Sequence, residues 1–208
     1  MAYSEFTVGD LTGKLGLTLE THQDSFNTIP PVPVDPVLQT LLDRHLPIAL
    51  ATNTEKSRAE LLTAPILVEV WRLTGRRISY YSGVDLNFDR ASRLNGEADF
   101  LFTRGPQVPV VSTPILVVVE AKKEDIASAY GQCGAEMVAA QGLNERAKTG
   151  VDTVYGCITI GDHWKFLRLR GYELVIDSPQ YPFSQLDRIL GILLFMVGYN
   201  PPPAVQPA

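Results

Sequence analysis

Glu120 and Lys122 stand two residues apart in VVVEAK, residues 117–122, where the most apolar run of the chain ends. In an extended strand such residues project to one face, so the carboxylate and the ammonium reach the same side of whatever sheet the run joins. Removing either charge alone from water is costly. A salt bridge at a strand end would settle both charges and perform no chemistry. Asp99, the last residue of NGEAD, opens a different prospect. If its segment, EADFLF (97–102), is the neighbouring strand, Asp99 and Glu120 converge on one point. Two carboxylates beside a lysine form a hard-cation site that keeps water ligands. Mg²⁺ suits that donor set and Mn²⁺ can replace it. The chemistry would be metal-assisted attack of water on a phosphodiester, with Lys122 positioning the water and stabilising developing charge.

These residues need a framework, and the pattern of the chain supplies one. PILVVVEAK (114–122) is β-branched with little alternation, which predicts a central strand buried on both faces. RRISYYSGVDLNF (76–88) and EADFLF read as strands before it. EDIASAYGQCGAEMVAAQGLNERAK (124–148) predicts a helix whose core face collects Ile126, Ala129, Tyr130, Cys133, Met137 and Ala140. Gly131 and Gly134 inside that helix each cost ~1 kcal/mol relative to alanine, a cost that fits close approach to the sheet or a ligand. TVYGCITI, a Gly161-Asp162 turn, WKFLRL and YELVID continue the sheet, and FSQLDRILGILLFMV closes the fold as an apolar helix.

Upstream, Lys14–Leu19 is a weak strand, and IPPVPVDP (29–36), with four prolines, is an extended connector. Asp35-Pro36 fits the start of a short helix, VLQTLLDRHL. Thr52 and Glu55 have capping-box spacing for a long helix running to Gly75, with a kink or break near Ala64 ahead of Pro65. The order of elements predicts an α/β (α+β) fold, a mixed sheet with helices on its faces. Residues 1–50 read as an N-terminal extension with a short helix, 51–200 as the core domain, and 201–208 as a frayed tail.

At this point the chain resembles the PD-(D/E)XK nuclease superfamily, the restriction-endonuclease-like fold. The likeness rests on Asp99, on Glu120-Ala121-Lys122 after an apolar strand, and on a following helix that carries Gln132. VYGCITIGDHWKFLRL (154–169) is similar to a strand–turn–strand with a tryptophan found in bacterial members. The resemblance covers roughly residues 54–195, and Ala98 stands where the motif has proline. It implies a four-stranded mixed sheet flanked by helices, with metal held by Asp99, Glu120 and the backbone carbonyl of Ala121, and Lys122 acting on the attacking water. It also implies that Gln132 reaches toward the site, although an amphipathic boundary residue is an equal reading of that glutamine. Members often add a glutamate from the first core helix. Glu55, Glu60 and Glu69 compete for that role and Glu60 is favoured, with Glu55 otherwise a capping residue and Glu69 otherwise a partner of Arg58 or Arg72.

Composition sets bounds on this expectation. A 45% hydrophobic, 20% charged chain of 208 residues can bury a sizeable core. No run approaches the ~20 apolar residues of a membrane span. No secretory leader is evident, and Cys133 and Cys157 form no CxxC pair, so the cytoplasm is the default location and a zinc site is disfavoured. The net charge of −5 argues against a general DNA-coating role. It allows an enzyme that grips DNA, or RNA, through a local basic edge and a metal, and Arg76, Arg77, Lys165, Arg168 and Arg170 are the candidate phosphate contacts. Cutting both strands with such a site takes two copies or a partner, so a homodimer is one expectation. His22, His45 and His163 read as surface residues. The competing expectation is a non-catalytic interaction module that keeps the fold and recruits a partner through Trp164 and Tyr172.

Overall fold

The computed structural model describes residues 3–22 and 25–199, so the tail expected to fray from residue 201 lies outside them. The N-terminal segment forms α1 (Val8–Gly13) and β1 (Thr18–His22). Next come α2 (Pro36–Thr52), α3 (Glu55–Arg58), a π-helical stretch (Ala59–Thr63) and α4 (Ala64–Leu73). A long hairpin of β2 (Ile78–Asp89) and β3 (Leu94–Arg104) leads to β4 (Ile115–Ala121). Helix α5 (Tyr130–Arg146) crosses to β5 (Thr153–Thr159), and β6 (His163–Arg170), β7 (Glu173–Asp177), β8 (Tyr181–Pro182) and α6 (Leu186–Met196) finish the chain.

The sheet is larger than the four strands that the resemblance implies. Seven strands lie in the order β1-β7-β6-β5-β4-β3-β2, and β8 adds to β6. β1 is one source of the difference, because the N-terminal segment adds a strand that pairs in parallel with β7. That strand is displaced from the expected Lys14–Leu19 to Thr18–His22. The mixed character follows from the connections. β4 and β5 run parallel because α5 carries the chain back between them, while the shorter links from β3 to β4 and from β5 to β6 give antiparallel pairs. All seven residues of β4 are buried, as its unbroken apolar sequence predicts for a strand with helices on both sides.

Two cores sandwich the sheet. On one face Val117, Val119 and Ala121 pack with Leu42 of α2, Ile66 and Val70 of α4, and Ile189 and Leu193 of α6. On the other, Leu101 and Val118 pack with Cys133, Met137 and Ala140 of α5 and with Tyr3, Phe6 and Leu11. Gly131 and Gly134 answer to this second layer. A Cβ on Gly131 would lie 2.1 Å from the Phe6 carbonyl oxygen, and one on Gly134 would lie 2.5 Å from Leu11. The close approach at both glycines is therefore by the N-terminal segment, not by the sheet or a ligand.

The first helical region is broken as Pro65 demands, though in an unexpected form. The N-cap is Thr54, whose hydroxyl accepts from Ser57 N at 3.1 Å, while Thr52 is the last residue of α2. The Thr52/Glu55 capping box is therefore absent. The Leu61 carbonyl lacks the amide that residue 65 would offer in an α-helix. The chain widens to a π turn, with Ala64 N–H reaching Ala59 O, and His45 Nδ1 donates to Leu61 O at 2.8 Å. A carbonyl only accepts, so Nδ1 carries the proton, and His45 is an anchor between helices rather than a surface residue.

Among the described residues no helix is long and apolar enough to cross a membrane. The register of α5 on the sheet is fixed by Asn144, fully buried, which accepts from Ile115 N and donates to Ile115 O, both at 2.7 Å. Asn144→Leu leaves two main-chain groups at the start of β4 without partners. At ~1–3 kcal/mol per unsatisfied group, equilibrium urea unfolding should show a loss of about 3 kcal/mol.

Candidate functional site

Asp99 and Glu120 meet where the β3–β4 ladder ends and the β2–β3 ladder is interrupted. Ser82 pairs with Phe100 and Val84 with Ala98, so Gly83 lies opposite Asp99 at a gap in the ladder. Gly83 has φ +60°, a left-handed conformation that β-branched and bulky residues strongly resist. On the other side the β3–β4 ladder runs out at Phe100–Val119, which would place Asp99 across from Glu120 in the same register. There Asp99 replaces main chain with side chain: its Oδ2 accepts from Ala121 N at 2.8 Å. One sequence-predicted carboxylate is thus bonded directly to the peptide that follows the other.

Glu120 shares the face of Val118 and so points toward α5. It is only 1% exposed. Lys122 Nζ donates to Glu120 Oε1 and also to Gln132 Oε1, the latter at 3.1 Å. Gln132 Nε2 donates in turn to Glu136 Oε1 at 3.1 Å. The Lys122 backbone is fixed as well, its N–H donating to Thr159 O of β5 at 2.8 Å. Five groups therefore converge at the C-terminal end of β4: Asp99, Glu120, Lys122, Gln132 and Glu136.

Glu136 does not stand out from sequence as a site residue. It is fully buried on the core face of α5, four residues after Gln132 and between Cys133 and Ala140. An acidic residue at core spacing, one helical turn from a candidate glutamine, is the signal that could have found it.

The charges of this cluster are strongly perturbed. Burial, then repulsion from Asp99, pushes the Glu120 carboxyl from an ordinary 4.5 up to about 7, against the pull of Lys122. Burial and then Glu120 hold the Glu136 carboxyl well above the ordinary range. Burial also raises Asp99, while the Ala121 N–H and Lys122 act in the opposite sense. Burial works against the Lys122 charge, but Glu120 outweighs it and holds the ammonium above its usual value.

A cleft of about 300 Å³ opens beside Asp99, lined also by Glu55, Glu60, Glu97, Gly83 and Ala121. Glu60, the favoured helix glutamate, therefore borders the cleft, but its side chain is 63% exposed and it faces Lys56 at 3.6 Å. The charge of Glu55 acts on both Asp99 and Lys122. Glu69 lies away from the cleft in a bidentate pair with Arg72, at 2.6 and 2.7 Å, the alternative foreseen for it.

The donors fit a hard divalent cation in kind. Glu120 Oε2 is buried with no hydrogen-bond partner, and Asp99 and Ala121 border the cleft. Among the described residues no group of three or more His, Cys, Asp or Glu side chains is arranged to hold a metal. A cation here would rest on two carboxylates, the Ala121 carbonyl and water, a set that Mg²⁺ accepts.

Other sequence candidates have local partners. Lys165 Nζ donates to Ser178 O at 2.6 Å, Arg168 and Arg170 pair with Glu173 and Asp152, and Arg76 lies over the Trp71 ring. Trp164 is fully buried, with Nε1 donating to Gly161 O, so it offers no recruiting surface, whereas Tyr172 is 73% exposed.

The raised Glu120 and Glu136 carboxyls set a pH dependence. Each binds its proton more tightly folded than unfolded, so its contribution to stability is complete below about pH 4.5 and is lost as pH rises through the folded value, about 7 for Glu120. In metal-free buffer the melting temperature should fall between pH 5 and pH 8, and Glu120→Gln should flatten that slope.

The chain matches no protein-family model, no curated protein and no solved structure. Any functional reading must therefore rest on the residues at the end of β4.

Proposed function

We propose that this chain is a metal-dependent nuclease that hydrolyses phosphodiester bonds of DNA, with Mg²⁺ as its cofactor and Mn²⁺ as a substitute. The observation that carries the reading is the bond from Ala121 N–H to Asp99, which ties one carboxylate to the peptide adjoining the other and beside Lys122. Asp99, Glu120 and the Ala121 carbonyl would hold the ion. Bound there, it supplies Lewis-acid activation of the phosphate and eases deprotonation of water. Lys122 offers a fixed positive charge for the negative charge that develops during attack, and Gln132 restrains the ammonium. Glu55 and Glu60 line the same cleft and would engage solvent there.

One observation favours the second reading, a non-catalytic module with the same fold. Glu120 is buried and one of its oxygens is engaged by Lys122, so the carboxylate already has a cationic partner without any metal. The pair makes the two readings separable, because Lys122 and a cation compete for one carboxylate. On the nuclease reading, thermal unfolding should shift upward with Mg²⁺ or Mn²⁺ through linkage, by ~2.7 kcal/mol of stability at a hundredfold excess over Kd.

Asp99→Ala should abolish both that shift and the cleavage of plasmid and single-stranded DNA. Lys122→Met should behave differently, keeping or increasing the metal-induced shift while cleavage falls by at least ~100-fold, the scale of losing one electrostatic stabiliser. Absence of a shift together with intact plasmid, single-stranded DNA and RNA would rule out the nuclease and leave the module.

A further inference from the structure

Glu136 has no part in the chemistry above, yet no acidic residue in the described chain is more completely enclosed. Its Oε2 is buried without a hydrogen-bond partner. The surrounding face of α5 is made of Cys133, Met137 and Ala140, where an apolar side chain would pack without leaving an orphaned oxygen. A carboxyl kept in such a place calls for a task that an apolar residue could not perform.

The hydrogen bonds identify that task. The Lys122 ammonium only donates, so the atom of Gln132 that faces it at 3.1 Å must be the amide oxygen. That choice turns Gln132 Nε2 toward position 136, where Glu136 Oε1 accepts at 3.1 Å. Without an acceptor at 136 the amide is free to reverse, which would set an NH₂ group against the ammonium, donor against donor. We propose that Glu136 is a positioning residue that fixes the orientation of the Gln132 amide and thereby holds the Lys122 ammonium at the Asp99–Glu120 end of β4. Its consequence for catalysis rests on the nuclease reading, while its consequence for Lys122 does not.

The test uses two readouts on the full chain: the ¹⁵N–¹H signal of the Lys122 ammonium at low temperature, assigned by its loss in Lys122→Arg, and plasmid cleavage with Mg²⁺. Glu136→Leu should unfold at or above the wild-type temperature. It should nonetheless lose the Lys122 signal to rapid exchange and cleave at least tenfold more slowly, with the fall in kcat and KM within twofold. Glu136→Gln, which keeps an acceptor for Nε2, should restore the signal and at least a third of the rate. Should Glu136→Leu fail to fold, Glu136→Met takes its place. A Lys122 signal unchanged in the apolar variant, or equal loss in the apolar and glutamine variants, overturns the proposal. If the wild-type chain cleaves no nucleic acid, the nuclease reading has failed by itself. The signal then decides alone: loss in the apolar variant with return in Glu136→Gln upholds the positioning role, and persistence in the apolar variant overturns it.

Discussion

Burying the Glu120 carboxylate is the constraint around which this end of the molecule is organised. A lone charge in a sheet core is untenable at neutral pH unless it is paired or takes up a proton. The fold uses both remedies. Lys122 reaches back along the same face to supply positive charge, while burial and repulsion from Asp99 raise the affinity of the carboxyl for a proton. The pairing needs neighbours fixed in space. The Lys122 backbone is held by Thr159 of β5, and Gln132, its other partner, is carried by α5, whose register Asn144 locks at the opposite end of β4. The parallel β4–α5–β5 unit is therefore the scaffold that makes a carboxylate bearable at the end of its central strand.

The remaining carboxylate arrives from outside that unit, and backbone conformation brings it. β3 pairs with β4 only as far as Phe100–Val119, and Gly83, at φ +60°, lies opposite Asp99 at a gap in the β2–β3 ladder. Parting strands normally leave an unpaired amide, here that of Ala121. Asp99 takes that amide with its side chain, so one contact both ends the ladder and delivers the carboxylate. Across the cleft Pro65 has an equivalent effect. By withholding an amide from Leu61 it coincides with the π turn that carries Glu60, and His45 of α2 takes up the freed carbonyl. On both walls an interrupted hydrogen-bond pattern is completed by a side chain, and acidic groups gather where the interruptions meet.

How much of this was legible in the sequence follows the range of the interactions. β4 was plain because burial on both faces writes itself as a continuous β-branched run, and the shared face of Glu120 and Lys122 needs only the strand period. The break at Pro65 and the partner of Glu69 were local and could be foreseen. The joining of β1 to β7 was hidden, since an edge strand with exposed residues carries little hydrophobic pattern and its partner lies some 155 residues away. The strand count failed for that reason, together with the expectation of four strands taken from a family resemblance. Gly131 and Gly134 announced a close approach, but not that Phe6 and Leu11 make it. Trp164 illustrates the limit of residue type alone. It reads equally as a recruiting aromatic or a core plug, and only the fold shows it enclosed.

Glu136 was hidden for a more instructive reason. A glutamate on an amphipathic helix is ordinarily a solvated residue, and its spacing with Cys133 and Ala140 runs against that prior without saying what a buried acid would do. Its meaning exists only after α5 is laid on β4 and the Gln132 amide is seen between two groups that dictate its direction. The same geometry bears on how a nucleic acid would approach the site. The cleft beside Asp99 is bordered by Glu55, Glu60 and Glu97, and Lys56, which also lines it, faces Glu60 at 3.6 Å; Lys122 is committed to Glu120. A phosphate approaching that wall meets an excess of like charge. Asp99, Glu120 and the Ala121 carbonyl would hold a divalent cation beside that wall, and its charge would offset the surrounding carboxylates. If the nuclease reading holds, the binding of nucleic acid to this cleft should therefore depend on the ion, because the wall supplies too little positive charge of its own.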